Sequence, residues 1–179
     1  MNSIKIMKTS VILKTMTLFV CISLTSFAAF CQESPRETVN GTISGASVSI
    51  AYGSPSVRGR KIWGELVPYG KLWRTGANPV TTFETNKDIN VEGKVLHAGK
   101  YSIFTIPGEN EWKIIFNSET GQWGIKDDGS ANDDPAKDVL TVSVKPEKSK
   151  EFHERLTFVI DQQGFALLWE NLAVPVTIK

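Results

Sequence analysis

Hydrophobic residues recur at every second position in segment after segment of this chain. Val48, Ile50 and Tyr52 alternate with Ser47, Ser49 and Ala51, the period of a strand with one buried face. Thr38 to Ile43 precedes it across Ser44 and Gly45, two turn residues that predict a hairpin. Val80 to Thr85 is rich in Thr and Phe, and Ile89 to Val91 and Val95 to Leu96 flank Glu92, Gly93 and Lys94, a tight turn. Tyr101 to Ile106 and Trp112 to Phe116 bracket Pro107, Gly108, Glu109 and Asn110, a second hairpin in which Trp112, Ile114 and Phe116 share a face. The theme continues through Leu140, Val142 and Val144; Leu156, Phe158 and Ile160; Phe165, Leu167 and Trp169; and Leu172, Val174, Val176 and Ile178. Asp161 to Gly164 reads as another hairpin turn, and Pro175 assigns the last strand to an edge or a bulge. Pro146 to Glu154 is charged enough to predict a short helical turn, and Gln32 to Glu37 a polar tether. About nine short strands without a helical stripe predict an all-β fold, an antiparallel β-sandwich or partly open barrel, as a single domain over residues 32–179.

One stretch escapes the alternation. Residues 53–79, GSPSVRGRKIWGELVPYGKLWRTGANP, hold five glycines, three prolines, two tryptophans and a tyrosine. A segment of that length without regular structure is functional or disordered in most domains, and its aromatic residues argue against disorder. Its basic residues, Arg58, Arg60, Lys61, Lys71 and Arg74, face a single acid, Glu65. Guanidinium forks suit carboxylate, phosphate or sulfate, and tryptophan faces suit sugar rings or cations. Arg58 and Arg60, two apart, point the same way in an extended segment. The candidate ligand-binding set is therefore Arg58, Arg60, Lys61, Trp63, Trp73, Arg74 and Asn78. Against it stands a packing role, in which Trp63 and Trp73 plug one end of the sandwich and Arg74 pairs internally with Glu84 or Glu65.

The run YGSPSVRGRKIWGELVPYGKLWRTGANPVTTFET (Tyr52 to Thr85), with AGKYSIFTIPGENEWKIIFN (Ala98 to Asn117), QWG and DVLTVSVKP, resembles the bacterial envelope family catalogued as domain of unknown function 2911. The resemblance spans most of the chain beyond its N-terminus and implies secretion and one domain; the family brings no catalytic residues to carry over. Residues 118–137 are longer and more acidic than the family's usual connection.

The N-terminus sharpens the compartment. Lys5, Lys8 and Lys14 with no acid, then the uncharged Thr15 to Phe30, read as a secretory signal peptide over residues 1–31. The apolar run is short against the roughly 20 residues of a spanning helix, so no membrane span is expected after cleavage. Small residues allow a cut after Ala28 or after Cys31, and a lipidated Cys31 is the minor alternative. Both cysteines fall in this region, which leaves the domain no internal disulfide. The expected location is periplasmic or secreted.

Without residues 1–31 the chain has 17 basic and 19 acidic side chains, a formal charge of −2, yet residues 53–79 carry +4. No global basic excess marks a nucleic-acid binder, whereas a local patch suits a small anion or polar ligand. His97 and His153, the only histidines, are too few for a zinc site, and nothing in the sequence sets either beside a serine. Asp128, Ser130, Asn132 and Asp134 are spaced like the start of a calcium loop, but Asp133 stands where the turn glycine belongs and no Glu follows at the twelfth position, so they read as a solvated acidic loop. No catalytic residue, metal or cofactor is assigned. The sequence therefore leads to a binding module for a polar or anionic small molecule or glycan; the rival readings are a structural or protein-interaction domain of the envelope and a carbohydrate-active enzyme using Glu65 and Glu84.

Overall fold

The computed structural model describes residues 33–179. The segment read as a signal peptide, residues 1–31, lies outside them. The strands are β1 (Arg36–Ile43), β2 (Ala46–Gly53), β3 (Thr81–Thr85), β4 (Ile89–Val91), β5 (Lys94–Leu96), β6 (Gly99–Ile106), β7 (Trp112–Asn117), β8 (Asp138–Val144), β9 (Glu147–Asp161) and β10 (Gly164–Thr177). Six of them form one antiparallel sheet in the order β1-β2-β3-β6-β7-β8, which does not close into a barrel.

The second layer is assembled from separate pieces around the two longest strands. The β9–β10 hairpin is its centre. Residues 55–57 run beside β9 through the Ser56–Arg155 bridge, with Val57 N donating to the Glu154 carbonyl at 2.7 Å and Leu156 N to the Pro55 carbonyl at 2.9 Å. On the other side, β4 meets the C-terminus through reciprocal Asn90–Lys179 backbone bonds of 2.9 Å, and β5 follows. The protein is thus a sandwich-like, all-β fold. Its main core lies between the layers and joins Ile50, Phe83, Ile103, Phe116, Leu156, Phe165 and Val176.

Turn chemistry explains the hairpins the alternation predicts. Ser44 and Gly45 both have positive φ, 50° and 78°, which gives the tight turn a twist that matches the strands on either side. Asp161 Oδ1 accepts from Gln163 N and Gly164 N at 2.7 and 3.1 Å and so closes the β9–β10 turn. Pro175 lies beyond the last β9–β10 pair, Ala173–Glu147, where no ladder donor is required of it.

Two expectations fail. Residues 147–154 are strand rather than a helical turn, and most of their side chains are exposed, so no buried face imposes an alternation that the sequence could show. The polar tether ends early, because Arg36 already pairs with Gly53 in β1–β2.

The outer face of the six-stranded sheet is also partly covered. Phe104 of β6, Ile115 of β7 and Val80 are buried there in a second, smaller cluster, with Leu72, Ile106 and Ala131 packed against it. The cover comes from residues 71–80 and from 118–134, which loops back over the sheet before the short 3-10 turn Pro135–Lys137.

Candidate functional site

The irregular segment between β2 and β3 divides its side chains between these two clusters. Trp73 and Thr105 exchange backbone hydrogen bonds of 2.8 and 2.9 Å, so this residue continues the β3 position alongside β6. Pleating then sets Trp73 and Arg74 on opposite faces of the sheet. Trp73 turns to the main core, where its ring stacks on Trp169 at 6.0 Å and 14° and meets Trp63 edge-on at 6.1 Å. Trp63 also packs edge-on against Trp112 at 5.1 Å and Trp169 at 5.7 Å. Trp73 is half-buried and the other three are buried. The indole N–H groups of Trp63, Trp112 and Trp169 are buried without a hydrogen-bond acceptor. These tryptophans fill one end of the sandwich. A nearby cavity bordered by Thr75, Thr105, Trp112 and Phe165 has a volume of about 10 Å³, room for one water and for nothing larger.

Arg74 goes the other way. It is half-buried on the outer face, beneath Gly124: a Cβ on that glycine would lie 2.2 Å from Arg74 Cδ and 2.9 Å from its Cβ. Only a residue without a side chain fits there. The Arg74 Nε is buried without an acceptor, and no carboxylate among the described residues pairs with the guanidinium. Burial pushes its pKa below the usual arginine range. The backbone beside it is strained, since Thr75 is buried and β-branched yet has φ 58°. Its hydroxyl meets Thr105 Oγ1 at 3.2 Å, and its carbonyl accepts from Thr81 Oγ1 at 2.7 Å.

The same face carries a second arginine, Arg36, from the stretch whose polar sequence predicts a tether. Arg36 Nη1 donates to the carbonyls of Pro79 and Val80, both at 3.2 Å, and desolvation lowers its pKa too. Asn78, with φ 61°, holds the two covering segments together: its carbonyl accepts from Gly124 N at 3.1 Å and its Nδ2 donates to the Ser34 carbonyl at 3.1 Å. Arg36 was missed because a single cation before the first strand carries no pattern, and Gly124 because close approach is a tertiary property.

The remaining candidates lie elsewhere. Val57 to Arg60 forms a tight turn, with Arg58 at φ 49° and Gly59 at φ 67°, instead of an extended run, so Arg58 and Arg60 do not project in parallel. Arg58 N donates to Glu154 Oε1 at 2.9 Å. Arg60 folds back onto its own loop, donating to the Ser56 carbonyl at 2.6 Å and the Val57 carbonyl at 3.1 Å. Lys61 pairs with Glu65 at 3.1 Å on the surface. Glu84 lies 3.8 Å from Lys100, so Glu65 and Glu84 belong to separate ion pairs and neither holds Arg74.

His153, which nothing in the sequence set near a serine, lies with Nε2 2.9 Å from Ser149 Oγ. That hydroxyl also accepts from Glu151 N at 3.3 Å, so the pair is a local contact in the bulged part of β9. Among the described residues no three His, Cys, Asp or Glu side chains converge as metal ligands, and no helix is long and apolar enough to cross a membrane.

Fold and site together define an antiparallel β-sandwich whose outer face holds an uncompensated arginine under a loop. The chain belongs to the family described as protein of unknown function DUF2911, whose model matches residues 34–178. No curated protein and no solved structure matches it.

Proposed function

We propose that this is an exported binding module of the bacterial envelope, and that it holds a small anion, or the anionic group of a larger polar molecule or glycan, at Arg74. The carrying observation is a guanidinium half-withdrawn from water with no counter-charge among the described residues. Burying a charge without a partner is costly, and structures normally supply one. A ligand carboxylate, phosphate or sulfate does so here, and its pairing is strengthened by the lowered local dielectric. Arg36 adds positive potential along the same 78–80 segment. Export follows from the lysine-led apolar N-terminus.

The tryptophans support a different role for the rest of the loop. Trp63 and Trp73 pack against Trp112 and Trp169, which favours a fold-holding function for that half of the segment. The deciding experiment is a thermal-shift screen of the protein against sulfate, phosphate, acetate, uronic acids and neutral sugars. A ligand selective for the folded state raises the melting point. The anion reading expects a shift from at least one anionic compound that Arg74→Ala removes; a shift that survives this change, or none from any anion, overturns it.

A further inference from the structure

Residues 118–134 strap the outer face down; the buried Ser102 Oγ donates to the Glu119 carbonyl at 2.6 Å near one end, and a buried cluster around Asn117 fastens the other. Asn117, fully buried at the end of β7, directs Nδ2 at Asp133 Oδ1 (2.9 Å), the Asp134 carbonyl (2.9 Å) and Asp138 Oδ1 (2.8 Å). Its own Oδ1 is taken by Glu119 N at 2.9 Å, which fixes which end of the amide faces the acids. An amide nitrogen has two hydrogens. Three acceptors therefore share two protons, and two of the acceptors are carboxylates, one of them buried. One more proton on this cluster removes a repulsion between like charges, which outweighs the preference of the Asn117 hydrogen bond for the ionised acid.

The fastening is continuous with the cover over Arg74. Asn132, next to Asp133, donates from N to the Gly124 carbonyl at 3.0 Å and from Nδ2 to the Trp123 carbonyl at 2.9 Å. Gly124 in turn bonds Asn78 and lies on Arg74.

We infer that the Asp133–Asn117–Asp138 cluster is a proton-operated latch: protonated, it holds the 118–134 strap firmly over Arg74, and deprotonated, it lets the strap loosen. The consequence for ligand rests on the anion reading of Arg74. With the strap down the guanidinium sits in a lower dielectric, which strengthens an anion pair. The groups facing Asp133 are Asp138 at the start of β8, and Asp134 and Lys126 on its own loop. Burial, followed by Asp138 and Asp134, raises the Asp133 pKa to about 6.

The test uses the full chain and its Asp133→Asn variant, an isosteric neutral stand-in for the protonated acid. Hydrogen exchange of the Gly124 and Asn132 amides, corrected for the intrinsic pH dependence of exchange, reports the strap. Protection should fall by about tenfold, the change that one unit of pKa coupling carries, between pH 5 and pH 7.5 in the parent protein and stay constant in Asp133→Asn. Equal pH dependence in both proteins, or none in the parent, overturns the latch. Asp133→Asn leaves His97 and His153 untouched, so comparison with the parent controls for both histidines. Sulfate, whose charge is constant over this range, is the binding probe. It should bind about tenfold more tightly at pH 5 in the parent and equally at both pH values in Asp133→Asn. Should exchange follow pH while sulfate binds neither protein, the latch stands and the anion reading of Arg74 fails.

Discussion

Arg74 passes directly under Gly124, with the Arg74 Cδ where a Cβ at 124 would sit. Gly124→Ala brings the new methyl 2.9 Å from both the Arg74 Cβ and the Asn78 carbonyl, neither of which is a free side-chain end. The strap must lift. Overpacking of this kind costs about 1–3 kcal/mol, and denaturant titration should find a loss in that range together with weaker anion binding.

Trp73→Ala and Arg74→Ala should separate sharply in chemical denaturation although the residues are adjacent. Trp73 contributes to a four-ring cluster, and its truncation should cost about 3–5 kcal/mol. Arg74 leaves no stranded partner behind, so its removal should cost under about 1 kcal/mol, chiefly from the packing of its aliphatic stem. A large loss at Arg74 would show that the fold depends on it and would remove the reason to supply it with a ligand.

Stability should depend on pH through Asp133. Its folded-state pKa, raised to about 6 from 3.8, lies above the unfolded value, so its contribution is fully present below pH 3.8 and is lost as pH rises through 6. Screening by solvent reduces the swing to about 1 kcal/mol. Denaturation midpoints of the parent and Asp133→Asn, compared from pH 4 to 7.5, should diverge over that interval in favour of the variant.

Intact-mass measurement on envelope fractions should find a chain beginning at Gln32 or close to it, about 31 residues shorter than the translated sequence. Retention of Met1 to Phe30 would contradict the export reading.

What could be read in advance was what lies within one segment. The Ser44–Gly45, Pro107–Asn110 and Asp161–Gly164 turns follow from local chemistry, and the shared face of Trp112, Ile114 and Phe116 from a period of two. The first half of β9 was hidden because its side chains are mostly exposed, and a strand with no buried face leaves no period to detect. At the candidate site, the sequence singled out Arg74 and Asn78 but set Trp73 beside them in one constellation. Which face each residue takes depends on the Trp73–Thr105 pairing, a contact between segments about 30 residues apart. That Arg74 lacks a counter-charge is likewise a tertiary fact, since Glu65 and Glu84 were equally available partners on paper and lysines take both.

The packing of Trp63, Trp73, Trp112 and Trp169 within 5.1–6.4 Å also gives the protein an internal optical gauge. Two of these indoles come from the irregular loop, one from β7 and one from β10, so their transition dipoles couple only when loop and both layers are docked together. An exciton signal in the aromatic circular dichroism therefore reports that three-way docking, while the fifth indole, Trp123, stands exposed on the strap and outside the cluster. Replacing Trp123 with Phe would leave the gauge intact, and emission lost on that change would isolate a second signal belonging to the strap alone.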